Sequence, residues 1–100
     1  MIVGGGYKIP PAEVQEVLLA CPEILEAVVV GVPDEVRGHI VRACVVLKPG
    51  FSPGDATALS INKCARETIA PFKCPKEILF LEEFPHTPTG KVDRRALEKL

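Results

Sequence analysis

The sequence predicts an α+β fold, a two-layer sandwich in which helices pack on a three-stranded sheet, with a short glycine-rich N-terminal hairpin as an appendage to it. Two observations support this fold class. Short β-branched runs indicate three main strands, at residues 26–33, 39–49 and 76–83. Longer runs with apolar residues at helical spacing occur at residues 11–21 and 55–70. The elements show no internal repeat, so helices and strands are expected to share one core.

Prolines and an apolar stripe delimit the first helix. Pro10 and Pro11 suit its entry, because proline is tolerated in the first helical turn. Pro22 disfavours helical backbone in the residue before it and so ends the helix. The residues between them carry apolar side chains at the i, i+3, i+4 and i+7 spacing, namely Val14, Val17, Leu18 and Cys21.

The remaining elements follow from similar local signals. The strand at residues 39–49 has one clean apolar face, while its other face carries the charged residue Arg42. Pro71 closes the helix at residues 55–70, because proline cannot continue a helix. Asp93 is a favourable N-cap and is expected to begin a short terminal helix.

Length, composition and charge limit the classes of function. The 100 residues are expected to form one small domain, residues 1–100, and the 47% hydrophobic and 25% charged residues are ordinary for a globular protein. A net charge of −1 gives no reason to expect nucleic acid or an anionic membrane as a partner. No apolar run is long enough to span a bilayer and no secretory signal opens the chain, so the expected location is the cytoplasm.

Four cysteines and two histidines raise the question of a metal site or a disulfide framework. No two cysteines have the CxxC spacing, and neither His39 nor His86 lies near a cysteine pair, so no metal site is expected. Cys44 and Cys64 lie within apolar patterns and are expected to be buried thiols. Disulfides are disfavoured in a cytosolic chain that can form its own core.

The glycines of GGGYKI, residues 4–9, allow two interpretations. The simpler one is a hairpin turn that needs positive φ. The functional one is a backbone surface that a ligand can approach closely. A dinucleotide-binding fingerprint is excluded, because the segment lacks the GxGxxG spacing and is followed by a strand and prolines instead of a helix.

Lys91 lies in a loop whose composition is unusual, FPHTPTGKV at residues 84–92. Two prolines stiffen this loop, and two threonines can bond to its backbone. The lysine is either a solvated surface charge or a rigidly presented cation for a reacting phosphate or carboxylate. The loop is not a P-loop, because no glycine stands five residues before Gly90 and Val92 replaces the Ser or Thr that would bind Mg²⁺.

Three further cations have two interpretations each. Lys73 and Lys76, in PFKCPKE, are either an exposed helix-to-strand connection or a docking point for phosphate groups. Arg37, in DEVRG, is either a turn residue or an anion contact. Neither local pattern is specific.

Four segments occur in an order that resembles a known domain. They are GYKIPPAEV, GVPDEVRG, VVLKPG and APFKCPKEILFLEEFPHTPTGKVDRRAL. Together they resemble the C-terminal domain of the adenylate-forming superfamily, and within it the acyl-CoA synthetase branch more than the peptide-synthetase adenylation domains. The resemblance covers nearly the whole chain, and its most specific part is the final P-x-T-P-T-G-K-x-x-R-R pattern.

The resemblance implies a two-step reaction. A carboxylic acid attacks the α-phosphate of ATP bound with Mg²⁺, which yields an acyl-adenylate and pyrophosphate. The small domain then rotates, and the thiol of coenzyme A displaces AMP. A large N-terminal domain, absent from this chain, would hold most of the ATP, Mg²⁺ and acid, so the chain is expected to fold alone but to catalyse neither step alone.

The resemblance also implies individual residue roles. Lys91 would be the adenylation lysine, whose ammonium group orients the carboxylate and offsets charge at the α-phosphate. Hairpin residues would line the pantetheine arm of coenzyme A, namely Gly5, Gly6, Tyr7 and Lys8. Three cations would bind its phosphates, namely Arg37, Lys73 and Lys76. Family members often carry a basic residue where this chain has Cys74, so one phosphate contact is expected to be missing or to be made by Lys73.

Two other functions stay open at the level of sequence. The fold could serve as a stand-alone module that binds a nucleotide or a partner enzyme without catalysis, although such a module has no need of a lysine at this loop tip. Lys91 also resembles known sites of lysine acylation, which would remove its charge, so a lysine acyltransferase would be a further partner. The sequence does not identify the acid, because the large domain would select it.

Overall fold

A computed structural model of the chain describes residues 2–4, 7–36 and 38–100. Two strand pairs and one single strand are each followed by a helix, and a one-turn 3₁₀ helix, Pro71–Lys73, precedes the last strand. The elements in chain order are β1 Ile2–Gly4, β2 Tyr7–Ile9, α1 Pro11–Leu19, β3 Ile24–Asp34, β4 Gly38–Leu47, α2 Asp55–Arg66, β5 Glu77–Phe80 and α3 Arg94–Lys99.

The main sheet has three strands in the order β3-β4-β5. β3 and β4 form a long antiparallel pair, with Val28 opposite Cys44. β5 pairs with β4 in parallel, with Glu77 opposite Arg42. The parallel pairing arises because α2 and the 3₁₀ helix carry the chain back across the sheet before β5 begins. The predicted α+β class and three-stranded sheet are therefore confirmed.

Side chains alternate between the two faces of the sheet along β3 and β4, and each face has its own buried core cluster. On the first face, the central valines pack against α1, α2 and the N-terminal hairpin. The core of this face includes Ile9, Val14, Leu18, Val29, Val41, Val45, Ile61 and Ala65. On the second face, Val30 and Cys44 pack with Phe84 and with Leu97 of α3. The predicted two layers describe the first face, and α3 adds cover on the second.

The N-terminal hairpin is part of the core, where the sequence had indicated only an appendage. β1 and β2 pair in antiparallel register with Ile2 opposite Ile9, and both side chains are buried. Ile2 approaches the backbone of β3 so closely that a Cβ at Gly31 would lie 3.1 Å from its Cγ2. Gly31 therefore allows the hairpin to pack directly against the sheet.

The ends of several elements differ from the local sequence signals. Asp93 caps α3 as predicted, since its Oδ1 accepts a hydrogen bond from the amide of Ala96 at 3.1 Å. α2 ends at Arg66 instead of residue 70, because the amides of the next turn donate back to the Ala65 carbonyl. β5 ends at Phe80, where its pairing with β4 stops, so the predicted strand at residues 76–83 is too long.

A disulfide joins Cys21, just after α1, to Cys64 of α2. The expectation of a buried free thiol at Cys64 is therefore wrong, as is the expectation that the chain would contain no disulfide. The two helices pack side by side on the first face and bring the Cα atoms of the pair to 6.2 Å, within the range that a disulfide can bridge. Cys44 and Cys74 are buried and free.

None of the helices in the described part of the chain has the length and apolar character that crossing a bilayer requires.

Candidate functional site

The loop that carries Lys91 is closed by backbone hydrogen bonds. The amide of Thr87 donates to the carbonyl of Lys91 at 2.7 Å, and the amide of Gly90 donates to the carbonyl of Thr87 at 2.9 Å. At the base of the loop, the amide of Asp93 donates to the carbonyl of Pro85 at 2.8 Å. Gly90 has φ +88°, which side-chain-bearing residues rarely adopt. These hydrogen bonds and the turn at Gly90 define the backbone conformation of the loop, and the stiffness expected from its prolines stays a prediction.

Thr89 contributes to this loop by a contact between side chains. The hydroxyls of Thr87 and Thr89 lie 2.9 Å apart, so they bond to each other in place of the expected bonds to the backbone. The side chain of Lys91 is exposed, and its Nζ forms no hydrogen bond or ion pair with any described residue. The loop thus presents a free ammonium group.

Polar contacts fix the start of α3, which follows the loop directly. The guanidinium of Arg94 donates to the carbonyl of Val29 on β3 and, at 3.2 Å, to Oε1 of Gln15 on α1. Gln15 Oε1 also accepts from the amide of Val29 at 3.0 Å. Val29 lies on an edge strand, so these bonds satisfy backbone groups that would otherwise be unpaired.

Lys73 is engaged within the domain. Its Nζ lies 2.9 Å from Oε1 of Glu13 on α1, and the two side chains are 26% and 38% exposed. Sequence reasoning had no means to pair these residues, because they are 60 positions apart. A phosphate that approaches Lys73 therefore meets an ammonium group already paired with the carboxylate of Glu13.

Lys76 is exposed, and its side chain forms no hydrogen bond or ion pair with the described residues. Its amide donates to the carbonyl of Val41 at 3.0 Å, which fixes its backbone to the first half of β4. Burial raises the pKa of the Cys74 thiol, whereas the nearby cations Arg66 and Lys76 lower it. Arg66, Lys73 and Lys76 thus form a cationic surface around Cys74, here called the connection surface.

Arg66 was not among the residues predicted from the sequence. Its only local signal is its position in the last turn of α2, where a cation also complements the helix dipole. Arg66 lies near Cys74 because the segment between α2 and β5 folds back beside the end of α2. Cys74 itself is buried, so it interrupts the positive charge of the connection surface without offering a nucleophile.

The hairpin residues are only partly within the described region. Gly5, Gly6 and Arg37 lie outside the described residues. Tyr7 contributes backbone pairing opposite Gly4. Lys8 pairs with Val3 and is exposed, and its side-chain nitrogen forms no hydrogen bond or ion pair with the described residues. The roles predicted for these residues stay predictions.

A cavity of about 390 Å³ lies between the hairpin, the β3–β4 pair and α3. It is lined in part by Val3, Gly31, His39, Arg94 and Glu98. The hairpin and the helix that follows the Lys91 loop therefore border the same cavity, a proximity that linear spacing did not indicate.

Comparisons with known proteins agree with this arrangement. The family described as the AMP-binding enzyme C-terminal domain matches residues 13–91. The chain is 41% identical to the mitochondrial acyl-coenzyme A synthetase ACSM3 of Mus musculus, over 99% of this chain and 17% of that protein. It is 45% identical to the 4-chlorobenzoate–CoA ligase of Pseudomonas sp. (strain CBS-3), over 97% of this chain and 18% of that protein.

Solved structures show the same similarity. The crystal structure of the Brucella canis acyl-CoA synthetase superposes with a TM-score of 0.91 at 40% identity, over 98% of this chain and 18% of that one. The chain belongs to the AMP-binding enzyme C-terminal domain family. It spans less than a fifth of the length of each of these relatives.

Proposed function

We propose that this chain is the C-terminal domain of an ATP-dependent acid–thiol ligase that converts a carboxylic acid, ATP and coenzyme A into acyl-CoA, AMP and diphosphate. The observation that carries the proposal is the closed Thr87–Lys91 turn, which presents an exposed ammonium group in a domain of this family. A large N-terminal domain would bind most of the ATP, Mg²⁺ and acid. The relatives named above are acyl-CoA ligases, which does not favour a stand-alone binding module.

Lys91 would act in the first half-reaction. A fixed ammonium group can hold the attacking carboxylate near the α-phosphate and offset the charge that develops on its oxygens. The free thiols of the chain are poor candidates for this chemistry. Burial raises the pKa of Cys44 to about 11 despite the opposing effect of Arg42, so Cys44 stays protonated near neutral pH.

The experiment that tests the function joins residues 1–100 to the large domain of the Pseudomonas 4-chlorobenzoate–CoA ligase, in place of that enzyme's own matched segment. This protein is called the hybrid ligase. We expect it to form 4-chlorobenzoyl-adenylate and then the CoA thioester, while the large domain alone and the 100-residue chain alone form neither at a comparable rate. A folded hybrid ligase that is no faster than the large domain alone would contradict the proposed function.

The connection surface would bind the phosphates of coenzyme A in the second half-reaction. Replacing Lys73 and Lys76 together by alanine should raise the KM for coenzyme A by about three- to tenfold, since exposed charge contacts contribute little individually. The rise should shrink as salt is added, because salt screens exposed charges. Steady-state kinetics of the hybrid ligase at varied coenzyme A and ionic strength measure both effects.

Two matched variants make this test specific. Lys48→Ala removes an exposed lysine at the opposite end of β4 and should leave the KM for coenzyme A unchanged. Glu13→Gln removes the carboxylate that pairs with Lys73 and should lower that KM or leave it unchanged. A double variant in which only adenylation falls would show that the connection surface does not serve coenzyme A.

Gly90 tests whether the shape of the loop matters for adenylation. Gly90→Ala places a side chain at φ +88°, which should destabilise the chain by about 1–2 kcal/mol even though the added Cβ meets no atom within 4 Å. The displaced loop tip should slow adenylation by about tenfold. Urea denaturation of the chain and pyrophosphate exchange by the hybrid ligase measure the two effects.

Gly50→Ala is the matched control for this variant. Gly50 has φ +97° and equally open surroundings, but it lies in the loop between β4 and α2. It should therefore lose comparable stability without any loss of adenylation. Equal adenylation rates in the two variants would argue against a role for the loop conformation.

Two finer proposals concern regulation and location. Acylation of Lys91 by a lysine acyltransferase would remove its charge and stop the first step. The cytoplasm is the proposed location, whereas the mouse relative is mitochondrial by name and the Cys21–Cys64 disulfide is a feature that a reducing compartment disfavours.

A further inference from the structure

The position of Lys91 depends on how the two flanks of its loop are held, because its side-chain nitrogen forms no hydrogen bond or ion pair with the described residues. The preceding flank, β5, is an edge strand of four residues. The following flank, α3, has six residues and is too short to be stable as an isolated helix. Both flanks therefore need tertiary contacts to keep the loop in place.

One side chain contacts both flanks. Arg42 lies on the central strand β4 and is 8% exposed. Its Nη2 donates to Oε1 of Glu77 on β5 at 3.0 Å. Its Nη1 donates to the carbonyls of Leu97 and Glu98 in the last turn of α3, at 3.0 and 3.3 Å. These carbonyls lack partners within the helix, so a cation here satisfies them and complements the helix dipole.

Stability alone does not account for a guanidinium at this position. Its Nε is buried without a hydrogen-bond partner among the described residues. Buried charged pairs can often be replaced by apolar side chains of similar volume without loss of stability. The side chain of Glu77 is 44% exposed, which weakens the pair further. An apolar residue could not, however, donate hydrogen bonds to both β5 and α3.

We propose that Arg42 is a positioning residue for Lys91, because it fixes α3 relative to β5 and so holds the loop between them. The inference rests on the proposed role of Lys91 in adenylation. Arg42 would touch neither ATP nor the acid. Without it, α3 can shift against the second face of the sheet, and a displacement of about 1 Å in a reacting group can slow a reaction about a hundredfold.

Arg42→Met in the hybrid ligase tests this role, because methionine keeps part of the volume and removes every donor. We expect the kcat of adenylation to fall at least about tenfold, while the KM values for ATP and 4-chlorobenzoate change less than about threefold. Thioester formation from supplied acyl-adenylate should stay within about twofold of the unmodified protein. All rates are referred to the concentration of folded enzyme.

Two further variants separate positioning from folding. Glu77→Gln changes a half-exposed side chain, so the domain should still fold. Its adenylation rate should fall less than that of Arg42→Met, and thioester formation should again be unaffected. Val14→Ala opens a cavity on the first face, away from α3, and should lower stability without changing either half-reaction of the folded enzyme. Equal losses in both half-reactions, or unchanged adenylation in the Arg42 variant, would overturn the proposal.

Amide exchange in the 100-residue chain gives a readout that does not depend on activity. Arg42→Met should increase exchange at the amides of Thr87, Asp93 and Leu97, while amides in the pairing of β3 with β4 keep their protection. A uniform increase would indicate general destabilisation and refute a local role. Lys91→Ala is assayed in parallel. If Lys91→Ala leaves adenylation intact, the proposed function itself is wrong; if only Arg42→Met leaves it intact, the positioning inference alone fails.

Discussion

Lys91→Ala in the hybrid ligase is expected to slow acyl-adenylate formation by about a hundredfold to a thousandfold, the effect of removing one preorganised charge-stabilising group. Thioester formation from supplied acyl-adenylate and coenzyme A should change by less than about threefold, because that step begins after the α-phosphate has been attacked. Pyrophosphate exchange measures the first step, and release of AMP from the supplied adenylate measures the second.

The chemical nature of the substitution separates charge from shape. Lys91→Met keeps much of the chain length without charge and should be as slow as the alanine variant. Lys91→Arg keeps the charge but spreads it over a planar fork, so it should recover only part of the rate. A methionine variant with normal adenylation would show that the ammonium group is not required.

A control is needed for the loss of any surface lysine. Lys63→Ala removes an exposed lysine from α2 and should affect neither half-reaction. If Lys63→Ala and Lys91→Ala slow both half-reactions to the same extent, net charge explains the data better than a specific contact. A fall in rate that occurs only in Lys91→Ala and only in adenylation supports the role of Lys91 as the adenylation lysine.

Much of the fold could be predicted from local sequence signals. Asp93 predicts the start of α3, because an N-cap needs only a side-chain oxygen close to its own backbone. The valine-rich runs predict β3 and β4, because β-branched side chains pack well on a sheet. The end of α2 could not be predicted as well, since the turn after Ala65 ends the helix before Pro71 does.

The candidate site was less accessible to sequence reasoning. Lys91 could be found because its loop carries a specific pattern of proline, threonine and glycine. The pairing of Lys73 with Glu13 could not, since two elements far apart in sequence must meet before it forms. The same holds for Arg42, because no local pattern indicates that the last turn of α3 would cover it. Local patterns thus identify the reactive group better than its supports.

The disulfide between Cys21 and Cys64 was missed for the same reason, and it leads to the second large expected effect. Reduction should lower the free energy of unfolding by about 2–4 kcal/mol, because the disulfide closes a loop with a sequence separation of 43. For a domain of this size the melting temperature should fall by about 10 °C or more. Calorimetry of the chain with and without a reductant measures the shift.

Thiol counting and two variants decide whether the disulfide is the cause. The oxidised chain, denatured, should show two free thiols, Cys44 and Cys74, and the reduced chain should show all four. Cys64→Ser should melt at the lower temperature whether or not a reductant is present, whereas Cys74→Ser should keep the sensitivity to reductant. Four free thiols in the chain purified without reductant would contradict the disulfide.

The position of the disulfide also allows a separate prediction about function, because it lies on the face of the sheet opposite α3. Cys21 belongs to the first core cluster, whereas Leu97 of α3 belongs to the second. Reduction should therefore leave the adenylation rate of the folded hybrid ligase unchanged at temperatures well below melting, even though stability falls. If reduction slowed adenylation in the folded enzyme, the two faces would be coupled through the sheet, and the placement of Lys91 could not depend on the contacts of α3 alone.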